Sequence, residues 1–181
     1  MTGSGVPASV VAELVAAARG YARVADGVEA GLLARAAETA VATAEAFCGI
    51  AIFARGHEDV LPVAAGWQRL RATPVTAIAG VTGLPVGLAP FVVPVGDYVV
   101  DIEASGDGWV RVAQAGGAAR VAVSYTAGLA ADWASCPPPL AQGLVMLVAH
   151  LFADREGQVP PAAVAALWRP FRRMRLLERV R

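Results

Sequence analysis

The chain has no lysine, only two cysteines and only two histidines. Each scarcity closes off a class of function. Cys48 and Cys136 stand far apart in no paired motif, so no disulfide framework is indicated and a reducing compartment fits. With His57 and His150 they are the chain's complete set of Cys and His, and no two fall at the short spacings of a zinc site. No metal and no cofactor is expected. There is no Gly-x-Ser-x-Gly elbow and no grouping of Ser, His and acid that the sequence singles out. Gly3-Ser4-Gly5 is too short, and follows no strand, to be a glycine-rich phosphate motif. The carboxylate pair Glu58-Asp59 reads as part of a turn, where solvation is its expected role. No catalytic residue is assigned, and the chain is not expected to be an enzyme.

Net charge is zero, from fifteen basic and fifteen acidic residues, so no global field steers the chain toward nucleic acid or membrane. The N-terminus has no basic region followed by an apolar run, so no signal peptide is indicated. Two uncharged stretches fail as membrane spans. Residues 72–96 carry four prolines, and 133–153 are broken by Pro137-Pro138-Pro139. What remains of the second is shorter than the ~20 residues a spanning helix needs. The hydrophobic fraction is 56%, but forty alanines supply much of it. The rest allows apolar surface beyond one core, as in a subunit of an assembly.

What is present is ordered helix, strand, helix. A first helix is expected over 7–20 and a second over 28–48, whose apolar positions recur every three to four residues before the capping Gly49. Residues 50–131 change to short β-branched runs punctuated by Pro and Gly. Strands are expected at 50–54, 67–72, 75–82, 97–103, 109–113 and 119–126, the last three as an antiparallel meander. Residues 83–96 read as a long loop or arm. A strongly apolar helix from Pro139 to Glu156 should sit centrally among the helices, with His150 as a core or interface histidine. A helix after Pro160-Pro161 closes at Pro170, and a last one runs from Phe171 to Val180. The expectation is an α+β fold: an α-helical bundle with a β-rich antiparallel insertion, in one domain over 1–181 (helices in 1–49 and 132–181, insertion 50–131).

The C-terminal stretch is the most informative. Arg169, Arg172, Arg173, Arg175, Arg179 and Arg181 are six of the fifteen arginines, against one acid, Glu178. Three readings are open: a solvated face, phosphate binding to nucleic acid, or a helix that docks its Phe171, Met174 and Leu177 stripe on a partner with arginines at the rim. The apolar stripe and the absence of a DNA-reading motif favour docking. Trp168, Arg169, Phe171, Arg172, Arg173, Met174, Arg175 and Leu177 are the candidate partner-binding residues. Asp154-Arg155-Glu156 is either a solvated helix end or an ion pair across a subunit boundary.

These features together resemble the head-tail connector, or adaptor, family of long-tailed double-stranded DNA phages and gene transfer agents. The likeness runs through Trp67 with Leu70-Arg71-Ala72-Thr73-Pro74-Val75, the segment Val121 to Gly128, and the proline-led helix from Pro139. It continues with Phe152-Ala153-Asp154-Arg155-Glu156 and Leu167-Trp168-Arg169-Pro170-Phe171-Arg172. Leu129 and Phe171 stand where an aromatic and a tyrosine are common. The resemblance implies a structural virion or gene-transfer-agent protein, assembled in the bacterial cytoplasm, in a ring of typically twelve copies. Its partners would be the portal protein, neighbouring copies of itself and the next tail-side component. Double-stranded DNA would pass through the channel without sequence-specific contacts. The C-terminal segment would engage the portal. The alternative is a nucleic-acid-binding module using the arginine-rich helix.

Overall fold

The computed structural model describes residues 2–3, 5–23, 29–153 and 159–173. The chain forms two compact units. One comprises Val6–Phe53 and Ala130–Arg181, the other Met1–Gly5 and Ala54–Leu129. Together they make an α+β fold of helices and antiparallel sheets.

The first unit is helical: α1 (Ala8–Ala22), α2 (Ala30–Cys48), α3 (Pro138–Ala153) and α4 (Ala162–Trp168), with a 3-10 turn over Arg169–Phe171. Helix α2 buries Leu33, Ala37, Val41, Ala44 and Cys48, one stripe at helical spacing. It stops at Gly49, whose φ of 70° lets its N–H return to the Glu45 carbonyl at 2.8 Å. Helix α3 buries residues on more than one face and packs against α1, α2 and α4, the central place its composition predicts. His150 is half-buried near its end.

Residues 50–54 do not form the expected strand. Ile50, Ala51, Ile52 and Phe53 are buried as the connection out of α2. The Ile52 N–H donates to Glu45 Oε1 at 2.8 Å, and the Ile52 carbonyl accepts from the Ala130 N–H at 2.8 Å. Phe53 makes a single parallel bridge with Ala130 and stacks on Trp133 at 6.3 Å. An apolar run of this length fits a buried connection as well as a strand.

The second unit holds β1 (Thr2–Gly3), β2 (Arg55–Pro62), β3 (Ala64–Arg69), β4 (Val75–Leu84), β5 (Phe91–Val92), β6 (Tyr98–Ile102), β7 (Gly108–Val112) and β8 (Arg120–Ala127). One sheet has the order β1-β2-β8-β4-β5 and the other β3-β7-β6. The expected meander is corrected here: β6 and β7 pair as a hairpin, but β8 crosses to the centre of the five-stranded sheet between β2 and β4. Its alternation explains the placement. Val121, Val123, Tyr125 and Ala127 all face the core, and even Ala122 on the other side is buried. The expected 83–96 arm contains the end of β4, the short β5 and a 3-10 turn over Val95–Asp97.

Strand β2 is the main element absent from the sequence reading. It points His57, Asp59 and Leu61 inward. Asp59 is therefore not a solvated turn residue: it is 1% exposed. Its Oδ2 accepts from the Tyr125 hydroxyl at 2.9 Å and from the Arg71 N–H at 2.7 Å. The Tyr125 oxygen in turn accepts from the Ala72 N–H at 3.0 Å, and His57 stacks on the Tyr125 ring at 5.6 Å. Burial pushes the Tyr125 phenol above its ordinary range, and the Asp59 carboxylate adds to the shift. One carboxylate and one phenol thus join β2, β8 and the 71–72 segment. Tyr125→Phe deletes the hydroxyl and strips Asp59 of a donor, so it should lower unfolding stability by about 1–3 kcal/mol. Urea denaturation checks this, and a loss near zero would remove the network from the account of stability.

Candidate functional site

The C-terminal segment is the first candidate surface. Pro161 precedes α4, as proline often opens a helix. Trp168 closes that helix and is 2% exposed. Its Nε1–H donates to the Leu140 carbonyl at 3.4 Å, and its ring lies 6.0 Å from Phe47. The ring fits because position 143 of α3 is glycine: a Cβ there would collide with the Trp168 indole. In the described chain the Trp168 ring, read from sequence as partner-binding, fills a hole in the helical core. Phe171 is half-buried against the same core.

Beyond the turn, Arg172 turns extended and its N–H caps the Arg169 carbonyl. The helix expected from Phe171 onward therefore does not start there. The Arg173 N–H donates to the Cys48 carbonyl at 2.8 Å. That carbonyl is one of the orphan acceptors at the end of α2, so the segment completes a helix terminus. The Arg172 guanidinium sits 5.6 Å above the Phe47 ring. Arg169 and Arg172 are exposed and Arg173 is half-buried. Met174, Arg175 and Leu177 lie outside the described residues, as do Asp154, Arg155 and Glu156.

The second candidate surface is in the β unit and was not singled out from sequence. The segment between β4 and β6 exposes Val86 (95%), Leu88 (75%), Val92 and Val95. Four exposed apolar side chains within ten positions make this segment a candidate contact surface. Beside them in sequence, β6 is an edge strand with Val99, Val100 and Ile102 exposed. On the three-stranded sheet, Trp67, Asp101, Glu103 and Trp109 line an open pocket of about 250 Å³. Asp101 lies opposite Trp109 across the β6–β7 pair, and Val99 opposite Arg111. The Arg111 guanidinium sits 5.3 Å over the Trp67 ring. Nearby, Arg69 forms an ion pair with Asp107 at 2.6 Å, and the Thr73 hydroxyl joins the same carboxylate at 3.1 Å.

Both thiols are buried, and burial pushes Cys48 and Cys136 up to about 11. Thiols held protonated in this way are poor nucleophiles. Asp132 is held below the usual carboxylate range by hydrogen bonds from Ser135, in the turn before α3. Among the described residues no three His, Cys, Asp or Glu side chains gather as metal ligands. No helix of the described residues is long and apolar enough to cross a membrane.

The fold is one already seen in gene transfer agent particles. The chain is similar in structure to a chain from the neck of an empty gene transfer agent particle computed with C6 symmetry, with a TM-score of 0.75 and 22% identity over 98% of both chains. It is also similar to a chain of the native gene transfer agent virion, with a TM-score of 0.72 and 24% identity over 96% of this chain and 95% of that one. A third similarity is to the neck of the native particle computed with C12 symmetry, with a TM-score of 0.68 and 22% identity over 98% of both chains. No protein-family model and no curated protein matches the chain.

Two outcomes follow from the C-terminal geometry. Trp168→Ala should cost about 3–5 kcal/mol of stability by emptying the site opposite Gly143. Arg169→Ala and Arg172→Ala, being at the surface, should each change it by less than about 0.5–1 kcal/mol. Chemical denaturation of the three variants separates core from rim. The thiols set a pH dependence as well. A folded-state value near 11 against 9.0 for an ordinary thiol favours the folded chain fully below pH 9. That contribution should fall away as pH rises from 9 to 11. Unfolding measured across that range in wild type and in Cys48→Ser/Cys136→Ser reads the difference.

Proposed function

We propose that this protein is a head-tail adaptor of a phage or gene transfer agent particle, a structural component with no catalytic role. It forms a ring between portal and tail that continues the DNA channel. The observation that carries this reading is the fold likeness to gene transfer agent neck and virion chains over nearly the full length of both partners. A likeness of one unit alone would leave the other free for a different task.

The surfaces suit the role. A cyclic ring needs two different patches on each subunit, one for each neighbour. The exposed Val86, Leu88, Val92 and Val95 supply an apolar patch of the kind a lone monomer has no use for. Arg169 and Arg172 stand exposed on a segment seated by Trp168, Phe171 and Arg173, and the remaining arginines follow directly in sequence. The fixed part presents the tail, and the tail meets the portal. Asp154, Arg155 and Glu156 are assigned to the boundary between neighbouring subunits. DNA passes through the channel unread, contacted through its phosphates alone.

The seating of Arg173 says where to cut. Removal of everything after Arg169 would also remove Phe171 and the bond to Cys48, mixing folding with docking. A chain ended after Arg173 keeps both. It should unfold at the same temperature as the full chain and fail to join a candidate portal protein in pull-down and negative-stain imaging. Full portal binding by this truncation overturns the docking role. Val86→Asp/Leu88→Asp should leave stability within about 0.5 kcal/mol. It should reduce ring formation at least tenfold in light scattering. Salt-sensitive DNA binding by a wild type that ignores portal proteins would overturn the adaptor reading altogether.

A further inference from the structure

We infer that the pocket on the three-stranded sheet is a receptor for an arginine side chain of a neighbouring copy of this chain. The inference rests on the ring reading and deepens it by naming one joint.

The pocket's walls are two indoles and two carboxylates: Trp67, Trp109, Asp101 and Glu103. Trp67 is 45% exposed, which is costly for so large an apolar ring unless something covers it. The Trp109 Nε1–H is buried with no acceptor among the described residues, so what Trp109 offers the pocket is not its N–H. Aromatic carbon beside carboxylate oxygen is the environment that holds a guanidinium: the ring faces take its flat surface and the carboxylates take its N–H groups. The sheet already shows this affinity once, where Arg111 lies over Trp67 at 5.3 Å.

Neither pocket carboxylate is in an ion pair among the described residues. Arg111 forms no ion pair with either acid among the described residues, and Arg69 is engaged by Asp107. The Asp101 carboxylate has no hydrogen-bond or ion-pair partner among the described residues. Among the described residues the Glu103 carboxylate accepts only from the Ser105 hydroxyl at 3.2 Å. Two acids with no ion-pair partner among the described residues, on an open surface between tryptophans, await a positive group from outside. Every basic side chain of this protein apart from its two histidines is an arginine, so a second copy brings that group and no lysine. Chains of similar fold occur in necks computed with C6 and C12 symmetry, where every copy would meet another through the same pair of patches. Arginine's planar fork suits such a slot better than an ammonium does.

The test uses the full chain. Indole N–H resonances of Trp67 and Trp109 are followed by NMR during titration with N-acetyl-arginine amide, with N-acetyl-citrulline amide as the neutral isostere. Ring formation, alone and on a candidate portal protein, is compared between wild type, Asp101→Asn/Glu103→Gln and Asp101→Glu/Glu103→Asp. The inference expects saturable shifts with the arginine probe alone. It expects ring formation to need at least tenfold more protein in the amide variant, with wild-type melting, and recovery in the carboxylate-retaining variant. Equal shifts from both probes, or none, overturn it. Normal rings in the amide variant also overturn it while leaving the adaptor reading intact. If wild type forms no ring under any condition, the adaptor reading falls and the assignment to a second copy falls with it, even where the arginine probe binds.

Discussion

The helical unit exists because its two halves are brought together where the β unit is inserted. The chain leaves it at Phe53 and re-enters at Ala130, and these two residues lie side by side in a parallel bridge. The Ala130 N–H on the Ile52 carbonyl and the stacking of Phe53 on Trp133 hold that junction. Closing so long an excursion costs chain entropy, but the cost rises only as the logarithm of its length. The inserted segment offsets it by folding around a core of its own. Helices α1 and α2 can then pack on α3 although they are distant in sequence.

Much of the helical unit was legible because its period is strong. The α2 stripe and its Gly49 cap, and the excess apolar surface of α3, place both helices within a few residues of their observed ends. Strand β8 was legible for the same reason with period two, yet its partners were not. Nothing local in Val121 to Tyr125 says that the neighbours are β2 and β4 rather than β7. Strand β2 was hidden by its own chemistry. Glu58-Asp59 reads as a solvated turn, and Asp59 is tolerable inside because Tyr125, sixty-six positions away, and the Arg71 N–H supply donors.

The candidate surfaces divide along the same line. The basic C-terminus stood out from composition alone, and Arg169 and Arg172 are indeed at the surface. From sequence, a tryptophan among arginines looks like an interface anchor, whereas the described chain holds Trp168 in its own core. Its burial depends on the missing side chain of Gly143, a relation between two helices. The pocket on the small sheet lay beyond any local reading. It needs β3, β6 and β7 in register, with Asp101 placed opposite Trp109, before its four residues become neighbours.

The two buried thiols carry a practical consequence for following assembly. Cys48 and Cys136 are the chain's complete set of sulfhydryls, and both are enclosed in the helical core. A cysteine introduced on the β unit, at the exposed Leu88 for example, would be the one fast-reacting handle on the folded molecule. The natural sequence is thus already a single-site labelling background. A fluorophore placed there would report the moment a neighbour covers it, with no native cysteine removed.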